Sequence, residues 1–205
     1  SAVIRKDFRV FPGHFHCHVC HILCIQILSV IAIPLIALDS LHADAQRMGY
    51  LYAVGRLPAV VIGLVVGAIV DRSDQRTLML LGVAGSALST LALALLAQLS
   101  LLDFGILLAL ALVGGVFTTF YDTAFAASVA KLGTPDARAP IHHANQTAMS
   151  AIQLAGPTVA AVVVSLVGAP LALWANALLG LAAIGLLTRL PPMGRRFDTH
   201  AQGIW

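Results

Sequence analysis

Glutamate is absent from this 205-residue chain, and charged residues of all kinds make up only 10% of it. Hydrophobic residues account for 59%. A soluble domain of this length needs a charged surface, and so few charged side chains could not cover one. The composition therefore excludes an ordinary soluble domain and predicts an all-α membrane protein.

Two sequence patterns are also absent. There is no G-x-x-x-x-G-K-[ST] loop to hold the phosphates of a nucleotide, so the chain does not encode ATP-driven transport. No Ser-His-Asp arrangement suggests covalent catalysis. The excess of lysine and arginine lies in short segments between apolar runs, which gives no reason to invoke nucleic acid. We predict a protein that is not an enzyme, that needs no cofactor and whose main partner is the lipid bilayer.

Long stretches without charge locate the predicted spans. A spanning helix needs about 20 apolar residues, with a range of roughly 17–25. Residues 138–189 are too long for one span, and Val167-Gly168-Ala169-Pro170 divides them, because glycine and proline together favour a turn. Six helices result, from residues 19–38, 48–70, 77–99, 104–126 and the two halves of 138–189.

The distribution of lysine and arginine predicts the orientation. With the amino terminus inside, the inner segments hold ten basic residues and the outer segments hold only Arg47, as the positive-inside rule requires. Both termini are then cytoplasmic. The inner residues are Arg5, Lys6, Arg9, Arg72, Arg76, Lys131, Arg138, Arg189, Arg195 and Arg196.

Three segments follow from this topology. Residues 1–18 are a cytoplasmic amino-terminal segment without an evident cleavable signal peptide, and residues 19–189 are the transmembrane bundle. Residues 190–205 are a cytoplasmic segment that we expect to begin the central loop of a longer protein. The chain begins with serine and stops at Trp205 soon after a basic stretch, so we expect a fragment.

The turn between the second and third spans is the most informative motif. It reads Gly67-Ala-Ile-Val-Asp71-Arg72-Ser-Asp74-Gln-Arg76 and lies between two uncharged runs. It resembles the pattern G-x-x-x-D-R-x-G-R-R of major facilitator superfamily transporters, where this loop latches the two halves of the protein and governs their rocking. Asp74 stands at the usual glycine position and Gln75 replaces a usual basic residue. The resulting pattern, Asp-Arg-x-Asp-x-Arg, is similar to a variant of the motif in bacterial exporters.

A second stretch supports the same resemblance. Asp122 ends the fourth span, Pro135 and the Ala144-Asn145 pair follow in the loop, and Gly156-Pro157 lies in the fifth span. Exporters of the enterobactin and macrolide efflux branch show a similar series, although the basic residue often found in their fourth span is missing here. The alternative for Gly156-Pro157 is a simple packing kink.

The resemblance implies a fold and a function. The fold is half of a twelve-helix transporter, built as two three-helix inverted repeats, with a missing carboxy-terminal six-helix half across the substrate path. The function is alternating-access efflux of a drug-like or siderophore-like small molecule from a bacterial inner membrane, driven by protons.

Ionisable and polar groups near the spans are the candidates for the transport path or its coupling. Arg56 and Asp122 lie inside predicted spans, where such residues usually face a bundle interior or a cavity. Arg56 could instead extend to the outer interface or pair with Asp39. We expect Asp122 to lie too close to the cytoplasm to pair with Arg56. The complete candidate set is Asp39, Arg56, Asp122, Asn145, Gln153, Gly156 and Pro157.

A histidine- and cysteine-rich segment gives the alternative hypothesis. Cys17-His-Val-Cys20-His21 matches the C-x-x-C-H pattern of haem attachment, and its ligand density would also suit zinc or copper. The predicted position, on the cytoplasmic side of the first span, opposes haem attachment. The alternative function is a haem- or metal-binding six-span membrane protein, with candidate ligands His14, His16, Cys17, His18, Cys20 and His21.

Overall fold

A computed structural model describes residues 19, 22, 31–130 and 135–189. These residues form helices and short connections, and no strand occurs among them. The all-helical prediction is therefore confirmed for this part of the chain. The helices are α1 (Ile33–Asp39), α2 (Ala45–Val61), α3 (Gly63–Arg72), α4 (Gln75–Gln98), α5 (Phe104–Ala130) and α6 (Pro135–Arg189).

Four helical stretches are long and apolar enough to cross a membrane. They are Gln75–Gln98, Phe104–Ala130, Asn145–Leu166 and Leu171–Arg189. Helices α2 and α3 pass the same test as a pair, which makes up to five candidate spans. These five correspond to the second to sixth predicted spans. The predicted first span, residues 19–38, lies mostly outside the described residues, so the six-helix repeat stays a prediction.

The break inside α6 lies where the sequence predicts it. Gly168 has a φ of 81° and a ψ of 159°, the only non-helical backbone within Pro135–Arg189. Glycine adopts positive φ without the steric cost that a Cβ atom imposes. The helix is therefore broken at Gly168, between two arms of membrane length.

The second span is bent, which the sequence analysis did not predict. Helices α2 and α3 meet at an angle of 46° around Ile62, whose φ is −106° and ψ is −3°. Pro58 lies one turn earlier, within α2. A proline in a helix lacks the N–H that would bond the carbonyl four residues back, and its ring crowds that carbonyl. This disturbance falls between Val54 and Pro58, one turn before the break, so Pro58 weakens the helix near Ile62 without fixing the position of the bend.

Aspartate caps three of the helices. Asp44, Asp74 and Asp103 each accept a hydrogen bond from the backbone N–H three residues ahead, at 2.8, 3.3 and 2.8 Å. A capping side chain satisfies one of the N–H groups that the first turn leaves open, at about 1 kcal/mol each. Asparagine, aspartate and serine have the short side chains suited to this role. Three of the nine acidic residues in the chain therefore start helices.

Helix α4 lies at the centre of the described bundle and packs against α5 and α6. Two hydrophobic clusters hold its ends. One joins Val70, Leu78, Phe125 and Leu187, and the other joins Leu51, Leu93, Leu107 and Leu173. The second cluster thus lies at one end of the bundle. Helix α4 ends there, and α2, α5 and the second arm of α6 begin there. The chain crosses the bundle in alternating directions, as the predicted topology requires.

Glycines allow the central helices to approach closely. A Cβ atom on Gly82 would lie 2.7 Å from the Tyr121 Cβ and 2.8 Å from the Phe117 carbonyl oxygen. A Cβ on Gly180 would lie 2.8 Å from that of Ala87. Without a hydrophobic drive between helices in lipid, such close backbone packing stabilises helix pairs. The contacts of α4 with α5 and α6 therefore depend on small residues.

Candidate functional site

The turn between α3 and α4 is held by its own side chains. The Asp74 carboxylate accepts hydrogen bonds from the Thr77 hydroxyl at 2.9 Å and from the Thr77 N–H at 3.3 Å. Asp74, which replaces the family's usual glycine, is thus the N-cap of α4. The departure from the motif has a structural reason, because aspartate is among the preferred N-cap residues.

Gln75, the second departure, is buried rather than solvated. Only 2% of its surface is exposed, and its Nε2 donates to the Val70 carbonyl oxygen at 3.2 Å. Val70 lies in the last turn of α3, where carbonyls lack helical partners. A neutral amide can be buried at this position with far less desolvation cost than an arginine. Gln75 therefore ties the start of α4 to the end of α3.

Arg76 connects the same turn to the end of α6. Its Nη2 donates to the carbonyl oxygens of Thr188 at 2.6 Å and Leu187 at 3.3 Å. These carbonyls belong to the last turn of a helix, which carries partial negative charge and favours a cation. The motif arginine thus fastens the third span to the sixth, through residues more than 100 positions apart.

Asp71 and Arg72, the most specific pair in the motif, are both exposed. Among the described side chains no ion pair with nitrogen and oxygen within 4.0 Å includes either residue. Gly67, one turn before Asp71, has nothing within 4 Å of the position of a Cβ atom, and the same holds for Gly63. The α3 face that carries the motif glycines is thus open in this bundle. The latch role of Asp71 and Arg72 remains a prediction.

We expect Arg76→Gln to loosen the end of α6. Losing the hydrogen bonds of a buried charged donor lowers the stability of the fold by about 1.5–3 kcal/mol, and the loss is smaller for this half-buried side chain. Amide hydrogen exchange in residues 183–189 should accelerate by up to roughly tenfold. Arg72→Gln, a matched change at an exposed arginine, should leave that exchange unaltered. Equal protection in the two variants would contradict the role assigned to Arg76.

Arg56 and Asp122 lie on neighbouring helices. Arg56 is on α2, Asp122 is on α5, and both are exposed. No ion pair among the described side chains joins them, and our expectation that Asp122 lies too close to the cytoplasm to pair with Arg56 stays a prediction.

The contact between α2 and α5 sets the position of both charges. A Cβ atom on Gly115 would lie 2.6 Å from the Gly55 carbonyl oxygen and 3.2 Å from the Pro58 Cγ. Arg56 immediately follows Gly55. Asp122 is seven residues beyond Gly115, which is about two helical turns and returns to the same face of α5. Asp122 therefore lies on the face of α5 that packs against α2, and Arg56 lies on α2 next to the contact.

No hydrogen bond or ion pair among the described residues joins the remaining candidates to Arg56. Asn145 is half-buried, and its Oδ1 is buried without a hydrogen-bond partner among the described residues. Gln153 is exposed, Gly156 is buried and Pro157 is half-buried, all within a continuous helical arm. Asp39 is exposed at the end of α1. No ion pair within the described chain joins Asp39 to Arg56.

The proposed metal ligands all lie outside the described residues; they are His14, His16, Cys17, His18, Cys20 and His21. Within residues 31–130 and 135–189, no group of three or more histidine, cysteine or acidic side chains could hold a metal ion.

Two features of the site escaped the sequence analysis. The first is the Gly55–Gly115 contact. The second is the pair of α6 carbonyls that accept from Arg76. Backbone carbonyls cannot be recognised as acceptors from the residue type. The arginine that follows the N-cap of α4 was the available sign that some acceptor lies nearby.

The comparisons with known proteins point to one family. The family model described as Major Facilitator Superfamily matches residues 15–204, nearly the whole chain. A search of curated proteins found no match to this sequence.

Proposed function

This chain belongs to the major facilitator superfamily, and on that premise we propose that it takes part in proton-coupled efflux of a small molecule by alternating access. Membership of the family makes it a multi-pass membrane protein of a transporter family. Efflux, the coupling ion and a drug-like or siderophore-like substrate are our proposals. So are the bacterial inner membrane and the cytoplasmic position of both termini.

One observation supports the proposal most directly. Arg56 and Asp122 lie within the spans, on two helices that contact each other, and both are exposed. An ionised group in a span costs roughly 2.5–3.5 kcal/mol on insertion scales, so it usually serves a pathway or pairs with another group. A substrate pathway beside α2 and α5 accounts for both charges.

The bent second span fits the same role. Interrupted helices in transporters occur where the backbone lines a binding cavity rather than lipid. The bend at Ile62 lies at nearly the same level of the bundle as Asp122, about two turns from the Gly55–Gly115 contact. A second six-helix half, which we propose completes the transporter, would cover the exposed side chains of Arg56 and Asp122 and the open glycine face of α3.

Transport can be tested in inverted membrane vesicles that carry an imposed proton gradient, acid inside. We expect the protein expressed from its complete gene to accumulate at least one compound from a panel of cationic dyes and iron chelators. A protonophore should abolish the accumulation. The 205-residue chain by itself should stay at the background of empty vesicles, because the second wall of the path is missing.

Asp122→Asn tests the carboxylate inside the fourth span, with Asp44→Asn as the matched variant at a helix cap. Asparagine caps a helix as well as aspartate does, so Asp44→Asn should transport normally. Asp122→Asn should lose gradient-dependent accumulation. Accumulation that persists with the protonophore would contradict proton coupling, and accumulation that Asp122→Asn leaves unchanged would contradict a role for Asp122. Accumulation by the chain alone would contradict the two-half arrangement.

A further inference from the structure

The two halves of the bent second span are fixed to the bundle separately. The outer half, α2, is held against α5, because a Cβ atom on Gly115 would lie 2.6 Å from the Gly55 carbonyl oxygen. At the start of the same two helices the Arg47 guanidinium lies 5.4 Å from the centre of the Phe104 ring, a cation–π distance. Helix α2 therefore has little room to shift on α5.

The inner half, α3, belongs to a second anchored unit. Val66 and Val70 are buried in the cluster that also contains Leu187. The Val70 carbonyl oxygen accepts from Gln75 Nε2 at 3.2 Å, which ties the end of α3 to the start of α4. Arg76 then ties the start of α4 to the last carbonyls of α6. The inner ends of the second, third and sixth spans are thus fastened together.

Between these anchors the second span is loosely held. None of residues 59–65 is buried, and Leu64 is 91% exposed. Ile62 has a φ of −106° and a ψ of −3°, in the sparsely populated bridge region of backbone space. The Ile62 N–H still donates to the Pro58 carbonyl at 2.9 Å, and the Val66 N–H donates to the Ile62 carbonyl at 2.8 Å. A change of direction at Ile62 would disturb few side-chain contacts within the bundle.

Gly63, the first residue of α3, has no packing reason to be glycine. Nothing lies within 4 Å of a Cβ atom at this position, whereas close contacts explain Gly82, Gly115 and Gly180. Glycine is less favourable than alanine in a helix interior. Its advantage is a backbone that changes direction freely. A glycine directly after the bend therefore fits a joint whose angle changes.

We infer that residues 59–65 form a hinge, about which α3 changes its angle to α2 between a bent and a straighter form. Hinges are short segments that absorb a change in backbone angles while the elements on either side keep their own contacts. The Gly55–Gly115 contact and the bond from Gln75 to Val70 remain in both forms. The inference goes beyond the proposed function, since it concerns a movement within this chain alone.

Nuclear magnetic resonance of the 205-residue chain in lipid nanodiscs tests for two forms. The isoleucine δ1 methyl groups are labelled with carbon-13, and the Ile62 signal is assigned by its loss in Ile62→Leu. Hinge motions occur on the microsecond to millisecond scale, so Ile62 should show relaxation dispersion or two separate signals. Ile106, in the first turn of α5, should give a single signal with a flat profile. The same result for Ile62 would mean a fixed bend and would overturn the inference.

Gly63→Ala tests the joint itself. Residue 63 starts a helix in the bent form but lies inside a continuous helix in the straighter form, where alanine gains most over glycine. The fitted ratio of the straighter to the bent form should rise by about two- to fivefold. Gly49→Ala and Gly67→Ala are matched controls, because both positions are equally unobstructed and lie inside a helix in either form. They should leave the ratio unchanged. No shift in Gly63→Ala, or an equal shift in the controls, would contradict the hinge.

The outcomes separate this inference from the transport proposal. Exchange at Ile62 in nanodiscs, without gradient-driven accumulation by the complete protein in vesicles, would leave the hinge standing and remove the efflux function. Accumulation in vesicles, together with a flat profile and a single signal for Ile62, would leave the function standing and remove the hinge.

Discussion

Gly82→Ala should lower the free energy of unfolding of the bundle by about 1–3 kcal/mol, the usual range for overpacking a close contact. The added methyl group would lie 2.7 Å from the Tyr121 Cβ and 2.9 Å from the Tyr121 backbone nitrogen. These atoms cannot move away as the end of a flexible side chain can, so α4 and α5 must separate. Thermal or detergent-induced unfolding of purified protein, followed by far-ultraviolet circular dichroism, measures the change.

The control for this change is Gly185→Ala, in the second arm of α6. Nothing lies within 4 Å of a Cβ atom at Gly185, so the methyl group meets no obstacle. Alanine is favoured over glycine within a helix by up to about 1 kcal/mol. Gly185→Ala should therefore leave stability unchanged or raise it. If Gly82→Ala were as stable as Gly185→Ala, the close packing of α4 on α5 would be wrong.

Asp71→Asn should reduce transport by the complete protein at least tenfold while its amount in the membrane stays nearly normal. Asp71 is exposed at the end of α3, beside an open glycine face, and no described side chain forms an ion pair with it. Its charge is therefore not needed to hold this bundle together. We expect it to act on a partner surface, where the family resemblance places the latch between the two halves.

The matched variant is Asp74→Asn, which removes the same charge from the same turn. Asparagine retains the N-cap bond to the Thr77 N–H, so α4 should start normally. Initial rates of substrate accumulation in vesicles, normalised to the amount of protein, compare the two. Equal losses would show that only the net charge of the turn matters. A wild-type rate for Asp71→Asn would reduce the motif to a signal for membrane topology.

Much of this architecture could be predicted from local sequence. Apolar runs of membrane length, the Gly-Pro signal at residues 167–170 and the charged turn at Asp71 predict span positions, because lipid penalises each charged or unpaired polar group wherever it lies. Five candidate spans agree with that prediction. The bend of the second span was missed. The sequence signal for it, Pro58 within an apolar run, was present but was not weighed.

The site was less predictable because it depends on packing. Arg56 and Asp122 were recognised singly as ionisable groups inside spans, but the contact between the helices that carry them was not predicted. Their positions depend on the approach of Gly55 to Gly115, two residues 60 positions apart. Periodicity gives the face of each helix, but it does not say which turn of a neighbour that face meets.

The sequence by itself determined that the described part of the chain is helical, where five candidate spans lie and that Asp71 stands in a transporter-like turn. These properties follow from local polarity, chain length and turn chemistry, which need no knowledge of neighbours. Only the tertiary structure decided that Arg76 holds the end of α6 and that Gly55 packs on Gly115, which places Arg56 and Asp122 on two helices in contact. Helix register decides such contacts, and in lipid it is set by close packing of small residues rather than by a hydrophobic pattern.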